Sequence, residues 1–126
     1  MNLTGKFYNN RIILILRIEC PDAISRQKSC EGIIDTGFDG FVILPQNVFI
    51  ELGFENESMA TVTLANNEDH QALSAIGSVY IGDFVISGII LSMLDVSHIC
   101  FGMGLFAEGN FRLTINFMDN SYEISN

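Results

Sequence analysis

The sequence predicts an all-β fold, a closed or nearly closed barrel with one or two short helices. Three observations predict it. Apolar runs typical of strands recur along the 126 residues, turns rich in Gly, Asn and Asp separate them, and little of the chain carries helix signals. Because chains with many short strands bury their apolar faces in barrels or sandwiches, and this length allows one core, we expect a single domain over residues 1–126.

Two strands and a polar loop are predicted in the first third of the chain. Residues 11–18 form a nearly continuous Ile/Leu run, which is typical of a strand buried on both faces. Residues 22–28 are predicted to form a polar loop. Residues 29–34 rise into a second strand that ends at Asp35, and residues 41–44 resume the extended chain.

A short helix and a hairpin are predicted next. Pro45 opens the helix, which runs to about Leu52, and Gly53 lies just past its end, so the segment has the asymmetry of helix termini. Residues 61–64 and 72–81 then form two strands around a polar tip.

The last third of the chain is predicted to be strands. The apolar run at 84–94 is predicted to be a buried strand, since acidic residues bound it and it is too short to cross a membrane. Residues 111–117 alternate apolar and polar side chains, a period of two that puts one face on the core. A turn at 119–120 leads into a final strand at 122–124.

Composition and charge exclude several classes of function. Apolar residues make up 48% of the chain and charged residues 17%, which is typical of a folded protein. Fifteen acidic residues against six basic ones give a net charge of −9, and no Lys/Arg cluster is present, so no nucleic-acid partner is expected. The apolar run at 12–16 is too short for a signal or a membrane span, which predicts a cytoplasmic protein with no membrane partner.

The cysteines and histidines predict neither a metal site nor a cofactor. Cys20, Cys30 and Cys100 form no CxxC pair and leave one thiol over, which suits a reducing compartment. A bridge between Cys20 and Cys30 across a hairpin is an open alternative. Neither His70 nor His98 has metal-ligand spacing to other candidates.

The motif Asp35-Thr36-Gly37 stands at the end of the second predicted strand. A strand that ends at a turn delivers the carboxylate to the mouth of a barrel, with Ile33 and Ile34 as an apolar wall behind it. The Thr36 hydroxyl can bond neighbouring backbone groups, and Gly37 permits a close approach that a side chain would forbid. The tripeptide is also ordinary turn chemistry, so by itself it does not decide between a structural and a catalytic role.

Two segments resemble the signatures of retropepsin-like aspartic proteases. Residues 32–45, Gly-Ile-Ile-Asp-Thr-Gly-Phe-Asp-Gly-Phe-Val-Ile-Leu-Pro, resemble the active-site strand and loop, above all in the small prokaryotic branch of the family. Residues 99–106, which begin Ile-Cys-Phe-Gly, resemble the second signature, two apolar residues and a Gly followed by a short helix. Residues 111–117 resemble the strand that follows it. The resemblance thus covers most of the chain from residue 32 onwards.

The resemblance implies a retropepsin-like (acid protease) barrel and an aspartic endopeptidase that acts as a homodimer on a peptide or protein substrate. Two carboxylates held close together share one proton, so Asp35 of each subunit would act as general acid and base. Thr36 would hydrogen-bond across the dimer axis, and Gly37 would admit the substrate backbone. The chain has one Asp-Thr-Gly and is too short for a second lobe, so a second copy has to supply the other carboxylate.

Further site residues are implied by the same resemblance. Residues 62–73 would form the flap that closes over the substrate. The substrate cleft would include Phe38, Asp39 and Gly40. The second signature would lie beneath the active-site loop with Cys100, Phe101 and Gly102. The flap tip would consist of Ala65, Asn66, Asn67, Glu68, Asp69 and His70.

Three departures from the family pattern leave alternatives open. Phe38 stands where a small residue is common, and it either narrows the cleft or plugs the barrel core. Gly104 replaces a common Asp or Asn, and the flap tip lacks glycine. These departures favour a rival interpretation, a catalytically weak or silent retropepsin-like module that dimerises and binds peptides or a partner. A third interpretation is a small-molecule-binding β-barrel, but it does not explain why both signatures occur at these places in the sequence.

Overall fold

A computed structural model describes residues 1–21, 26–63 and 66–126. These ranges contain ten strands and two short helices, which agrees with the predicted class. The strands are β1 Asn2–Lys6, β2 Ile13–Cys20, β3 Arg26–Asp35, β4 Val42–Pro45, β5 Ser58–Thr63, β6 Asp69–Ile81, β7 Phe84–Met93, β8 Ile99–Gly102, β9 Arg112–Asn116 and β10 Ser121–Ser125. The helices are α1 Gln46–Glu51 and α2 Met103–Glu108.

Six strands close into a barrel. Their order is β2-β3-β8-β4-β7-β6, and β6 pairs back onto β2 through Arg17 and Tyr80, Ile18 and Val79, and Glu19 and Ser78. Closure leaves this sheet without a free edge except where β5 extends β6 outwards as a hairpin. Strand β8 pairs in parallel with β3 and antiparallel with β4, so the two sequence signatures lie side by side.

A separate three-stranded sheet, β1-β10-β9, joins the beginning and the end of the described chain. The β9–β10 hairpin predicted from alternation and the 119–120 turn is present, and Asn120 takes the positive φ of 53° that the turn requires. Strand β1 was not predicted, because its sequence Asn-Leu-Thr-Gly-Lys is short and polar. Ile124, paired with Leu3, is fully buried and attaches this sheet to the barrel core.

The core fills the barrel with aromatic and branched side chains. Phe7, Phe49 and Phe101 are among its largest fully buried members, and the Phe49 and Phe54 rings stack at 5.3 Å. Helix α1 agrees with the prediction, since Pro45 precedes it and Gly53 follows it with φ of 86°. Within the part of the chain that the structure describes, no helix is long and apolar enough to span a membrane.

The prediction that the first strand is buried on both faces is wrong. Along β2, Leu14, Leu16 and Ile18 are buried, whereas Ile13 is 48% exposed and Ile15 is 68% exposed. The wall of a small barrel is one sheet thick, so its inner face meets the core and its outer face meets water unless another layer covers it.

The strand predicted at 84–94 is present as β7, but the prediction that it is buried is wrong for the same reason. Strand β7 buries Ile86 and Ile90 inside the barrel, while Val85 and Ile89 project outwards and are more than half exposed. Leu94 lies past the strand end and is 81% exposed.

The polar loop predicted at 22–28 is shorter than expected, because β3 already begins at Arg26; residues 22–25 lie outside the described ranges.

The register of the β2–β3 ladder rules out the Cys20–Cys30 bridge. Cys20 pairs with Arg26, and Cys30 pairs with Leu16, four positions away and therefore about 13 Å along the strand. All three cysteines are free thiols.

Candidate active site

Strand β3 ends at Asp35, and the chain turns there. The backbone N–H of Gly37 donates to Asp35 Oδ1 at 3.0 Å, and the N–H of Phe38 donates to the Asp35 carbonyl at 3.2 Å. These two bonds fix the carboxylate at the rim of the barrel, where Asp35 and Thr36 are both exposed. The carboxylate is thus held in place by its own loop and remains open to solvent.

The space above Gly37 is open. A Cβ built on this residue would meet only Asp35 Oδ1, at 3.4 Å. A peptide backbone could therefore approach the loop closely at this point, directly beside the carboxylate.

The β8–α2 segment lies against the loop and holds it through backbone bonds. The N–H of Gly102 donates to Phe41 O at 2.9 Å, the N–H of Met103 to Phe38 O at 2.8 Å, and the N–H of Gly104 to Gly40 O at 2.9 Å. On the other side Gly102 pairs with Asp35 itself in the β3–β8 ladder. The second signature therefore supports the first by main-chain contacts.

Gly104 is explained by this close approach. A Cβ at Gly104 would lie 2.7 Å from Gly40 O and 2.8 Å from Asp39 O. Gly102 is still more tightly packed against Gly40 O. A longer side chain at position 104 therefore has no room, and the backbone N–H of Gly104 joins α2 to the loop.

Phe38 packs within the loop and against the barrel rim. Its ring lies against Gly40 and Gly102, and it contacts a small cluster of buried residues consisting of Ile43, Ala72 and Met93, here named the floor cluster. The ring is half-buried. Of the two roles considered for Phe38, this packing favours a plug that supports the loop, with one edge left at the surface.

Cys100, which the resemblance places beneath the loop, also lies close to Asp35 itself, and this was not predicted. Cys100 pairs with Ile33, whose side chain shares a strand face with Asp35 two residues later, and it packs against the floor cluster. Burial, and then the negative charge of Asp35, raise the pKa of the Cys100 thiol. The alternation of β8 shows only that Cys100 faces away from the buried Ile99 and Phe101; the pairing of β8 with β3 is what brings it close to Asp35.

The β5–β6 hairpin packs its inner face over the floor cluster through Val62 and Ala72. At its tip, which has no glycine, Asn67 takes a positive φ of 63°, a turn conformation that asparagine tolerates.

Side-chain bonds brace this tip. Asn66 Oδ1 accepts from the Glu68 N–H at 3.0 Å, Thr63 donates to Asp69 at 2.7 Å, and His70 lies 3.4 Å from Glu68. Ala65, also predicted in the tip, lies outside the described residues.

The described ranges contain no group of three His, Cys, Asp or Glu side chains suitably placed to hold a metal ion.

Two residues predicted to line the cleft, Asp39 and Gly40, lie in the loop beside α2, and Asp39 is exposed. Phe101 is fully buried beneath the loop, so it supports the site and cannot contact a substrate.

The sequence matches no family model, and a search of curated proteins finds no match. The structure resembles a retropepsin-like aspartic protease from Rickettsia conorii with a TM-score of 0.70 and 15% identity, over 98% of this chain and 89% of that chain. It resembles EIAV protease, complexed with the inhibitor HBY-793, with a TM-score of 0.64 and 15% identity, over 86% of this chain and 99% of that chain. The chain therefore has the retropepsin-like fold that its two signatures predict.

Proposed function

We propose that this protein is an aspartic peptidase that acts as a homodimer and hydrolyses peptide bonds with one Asp35 from each subunit. The observation that carries the proposal is an exposed Asp35 held in a hydrogen-bonded loop at the barrel rim of a retropepsin-like fold. The chain has one Asp-Thr-Gly, so a second copy has to contribute the matching carboxylate. We regard residues 1–126 as a single domain of this kind.

The mechanism requires the two Asp35 carboxyl groups to share one proton. The ionised group removes a proton from a bound water, whose oxygen attacks the substrate carbonyl carbon, while the protonated group donates its proton to the carbonyl oxygen. Collapse of the tetrahedral intermediate breaks the C–N bond: the now protonated Asp35 donates its proton to the leaving amine, and the other Asp35 accepts a hydroxyl proton from the intermediate, which restores the starting state of the pair. No covalent bond forms between the protein and the substrate.

The neighbouring residues position this chemistry. Thr36 would hydrogen-bond across the dimer axis and hold the two loops together, and the open space above Gly37 would admit the substrate backbone. The β5–β6 hairpin would close over the peptide and exclude water, since its inner face already packs on the floor cluster beside the loop.

The test is cleavage of a peptide library across pH by the wild type and by Asp35→Asn. We expect a bell-shaped activity profile on the acidic to near-neutral side for the wild type. The variant should lose at least about a hundredfold in activity because it cannot act as acid and base. Asp83→Asn removes an exposed carboxylate from the β6–β7 turn and serves as the control, with activity near wild type. Cleavage by Asp35→Asn at a wild-type rate would refute the assignment.

A non-catalytic peptide-binding module is the second candidate function. It is favoured by the Phe38 ring, which fills part of the loop, and by the hydrogen-bonded flap tip, which has no glycine. Under this alternative, library peptides would bind to the wild type and to Asp35→Asn equally, and neither protein would cleave them at any pH.

A further inference from the structure

A groove of about 490 Å³ opens on the side of the barrel next to the Asp35 loop. Asp39 and Gly40 of the loop form one wall, and α2 forms another with Gly104 and Glu108. This volume is within the range of sites that bind a side chain or a small ligand.

The base of the groove, which is distinct from the floor cluster, is apolar and accessible. It is lined by Ala60 of β5 and by Ile89 and Leu91 of β7. Ile89 is 53% exposed, although it lies beside Ile76, another outward-facing apolar residue, across the β6–β7 ladder. Covering such a surface with a hydrocarbon chain is favourable in water.

The rim of the groove is acidic. Asp39 and Glu108 are both exposed, and among the described residues neither lies within ion-pair distance of a cationic side chain. No basic residue of the described ranges lines the groove. The chain as a whole carries a net charge of −9, which adds to the negative potential at this rim.

The backbone segments that carry the two rim carboxylates are joined by hydrogen bonds. The bonds from Met103 N–H to Phe38 O and from Gly104 N–H to Gly40 O join the loop to the start of α2, whose last residue is Glu108. Asp39 lies between the two accepting carbonyls. The rim is therefore built on the same bonds that support the active-site loop.

We infer that this groove binds a lysine or arginine side chain of the peptide substrate, an inference that rests on the proposed function. The aliphatic stem would lie on Ile89 and Leu91, and the cationic head would lie between Asp39 and Glu108. Asp39, on the groove wall, is four residues from Asp35, so their Cα atoms lie within about 14 Å of each other. An extended substrate rises about 3.3 Å per residue, so the basic residue stands within about four positions of the scissile bond.

The inference is tested by binding, so that its outcome does not depend on catalysis. Asp35→Asn protein is titrated with fluorescent ten-residue peptides in which one position at a time, up to four residues either side of the centre, carries lysine, acetyl-lysine or norleucine. At one position or more, lysine should bind about fivefold more tightly than either neutral residue, as expected for a partly exposed ion pair. The preference should disappear at high ionic strength.

Two matched variants in the Asp35→Asn background locate the effect. Adding Glu108→Gln should abolish most of the lysine preference. Adding Glu55→Gln, which removes an exposed carboxylate from a different groove, should leave it intact. Equal binding of lysine and acetyl-lysine peptides at every position, a preference unaffected by Glu108→Gln, or no peptide binding at all overturns the inference.

Cleavage by the wild type decides the proposed function separately. Cleavage with no preference for basic residues would support the proposed peptidase function and contradict the inference about the groove. A Glu108-dependent lysine preference in a protein that never cleaves would support the inference about the groove and contradict the peptidase function.

Discussion

Cys100 offers a chemical probe of the charge on Asp35. Its thiol is half-buried on the strand face that it shares with Asp35, and its pKa is raised by burial and then by that carboxylate. A nearby negative charge disfavours the thiolate, so the neutral Asp35→Asn side chain should lower the pKa of Cys100 and increase its thiolate fraction near pH 8. We expect iodoacetamide to alkylate Cys100 faster in the variant, with the rate–pH profile moved towards lower pH.

Cys30 is the internal control for this experiment. It is buried, and burial raises its pKa. Lys28 lowers this pKa in part, Glu51 raises it further, and Asp35 does not contribute. Peptide mapping after timed alkylation separates the two thiols in one sample. An unchanged Cys100 rate would mean that Asp35 lies farther from this thiol than the structure indicates.

The packing of α2 against the Asp35 loop depends on Gly102 and Gly104, where an added Cβ would overlap backbone atoms of the loop. Gly104→Ala would place a Cβ 2.7 Å from Gly40 O, a backbone atom that can move only if the loop moves. We expect this variant to lose about 1–3 kcal/mol of unfolding free energy through overpacking. Urea unfolding at one fixed protein concentration measures it, because dimerisation would make stability concentration-dependent.

Gly37→Ala is the matched comparison within the loop. Its Cβ would meet only Asp35 Oδ1 at 3.4 Å, so the unfolding free energy should change by less than about 1 kcal/mol. Peptide cleavage should nevertheless fall, because the methyl group occupies the space proposed for the substrate backbone. A large loss of stability at Gly37, or none at Gly104, would show that the loop and α2 are packed differently.

At the scale of the whole molecule, the proposed chemistry makes activity a property of two chains. Each barrel carries one Asp35 at its rim, and both have to meet at a two-fold axis. Specific activity should therefore fall steeply when the protein is diluted below its dimer dissociation constant, while the fold of each chain, followed by circular dichroism, is retained. Sedimentation velocity on the same dilution series gives the dissociation constant independently.

Asp35→Asn should dimerise at least as well as the wild type at pH values where both Asp35 groups would ionise, since it removes the repulsion between two close carboxylates. This variant separates loss of chemistry from loss of assembly. Full specific activity in a sample that sediments as a monomer would remove the shared-site mechanism.

The sequence by itself determined the features that depend on neighbouring residues. A strand ending at Asp35, a helix between Pro45 and Gly53, and a hairpin at 119–120 are each encoded within a few positions, because turn and cap preferences are local. The two signatures added a long-range constraint, and the retropepsin-like fold they imply is the fold observed.

Only the tertiary structure decided what each face of a strand contacts. The Ile/Leu run of β2 has the same composition on both faces, yet Ile15 is exposed and Leu16 is buried because the barrel has a core on one side only. Register likewise separated Cys20 from Cys30, and the parallel β3–β8 pairing brought Cys100 to Asp35. Burial and proximity are properties of surfaces brought together by the whole chain, so no local pattern of residue types specifies them.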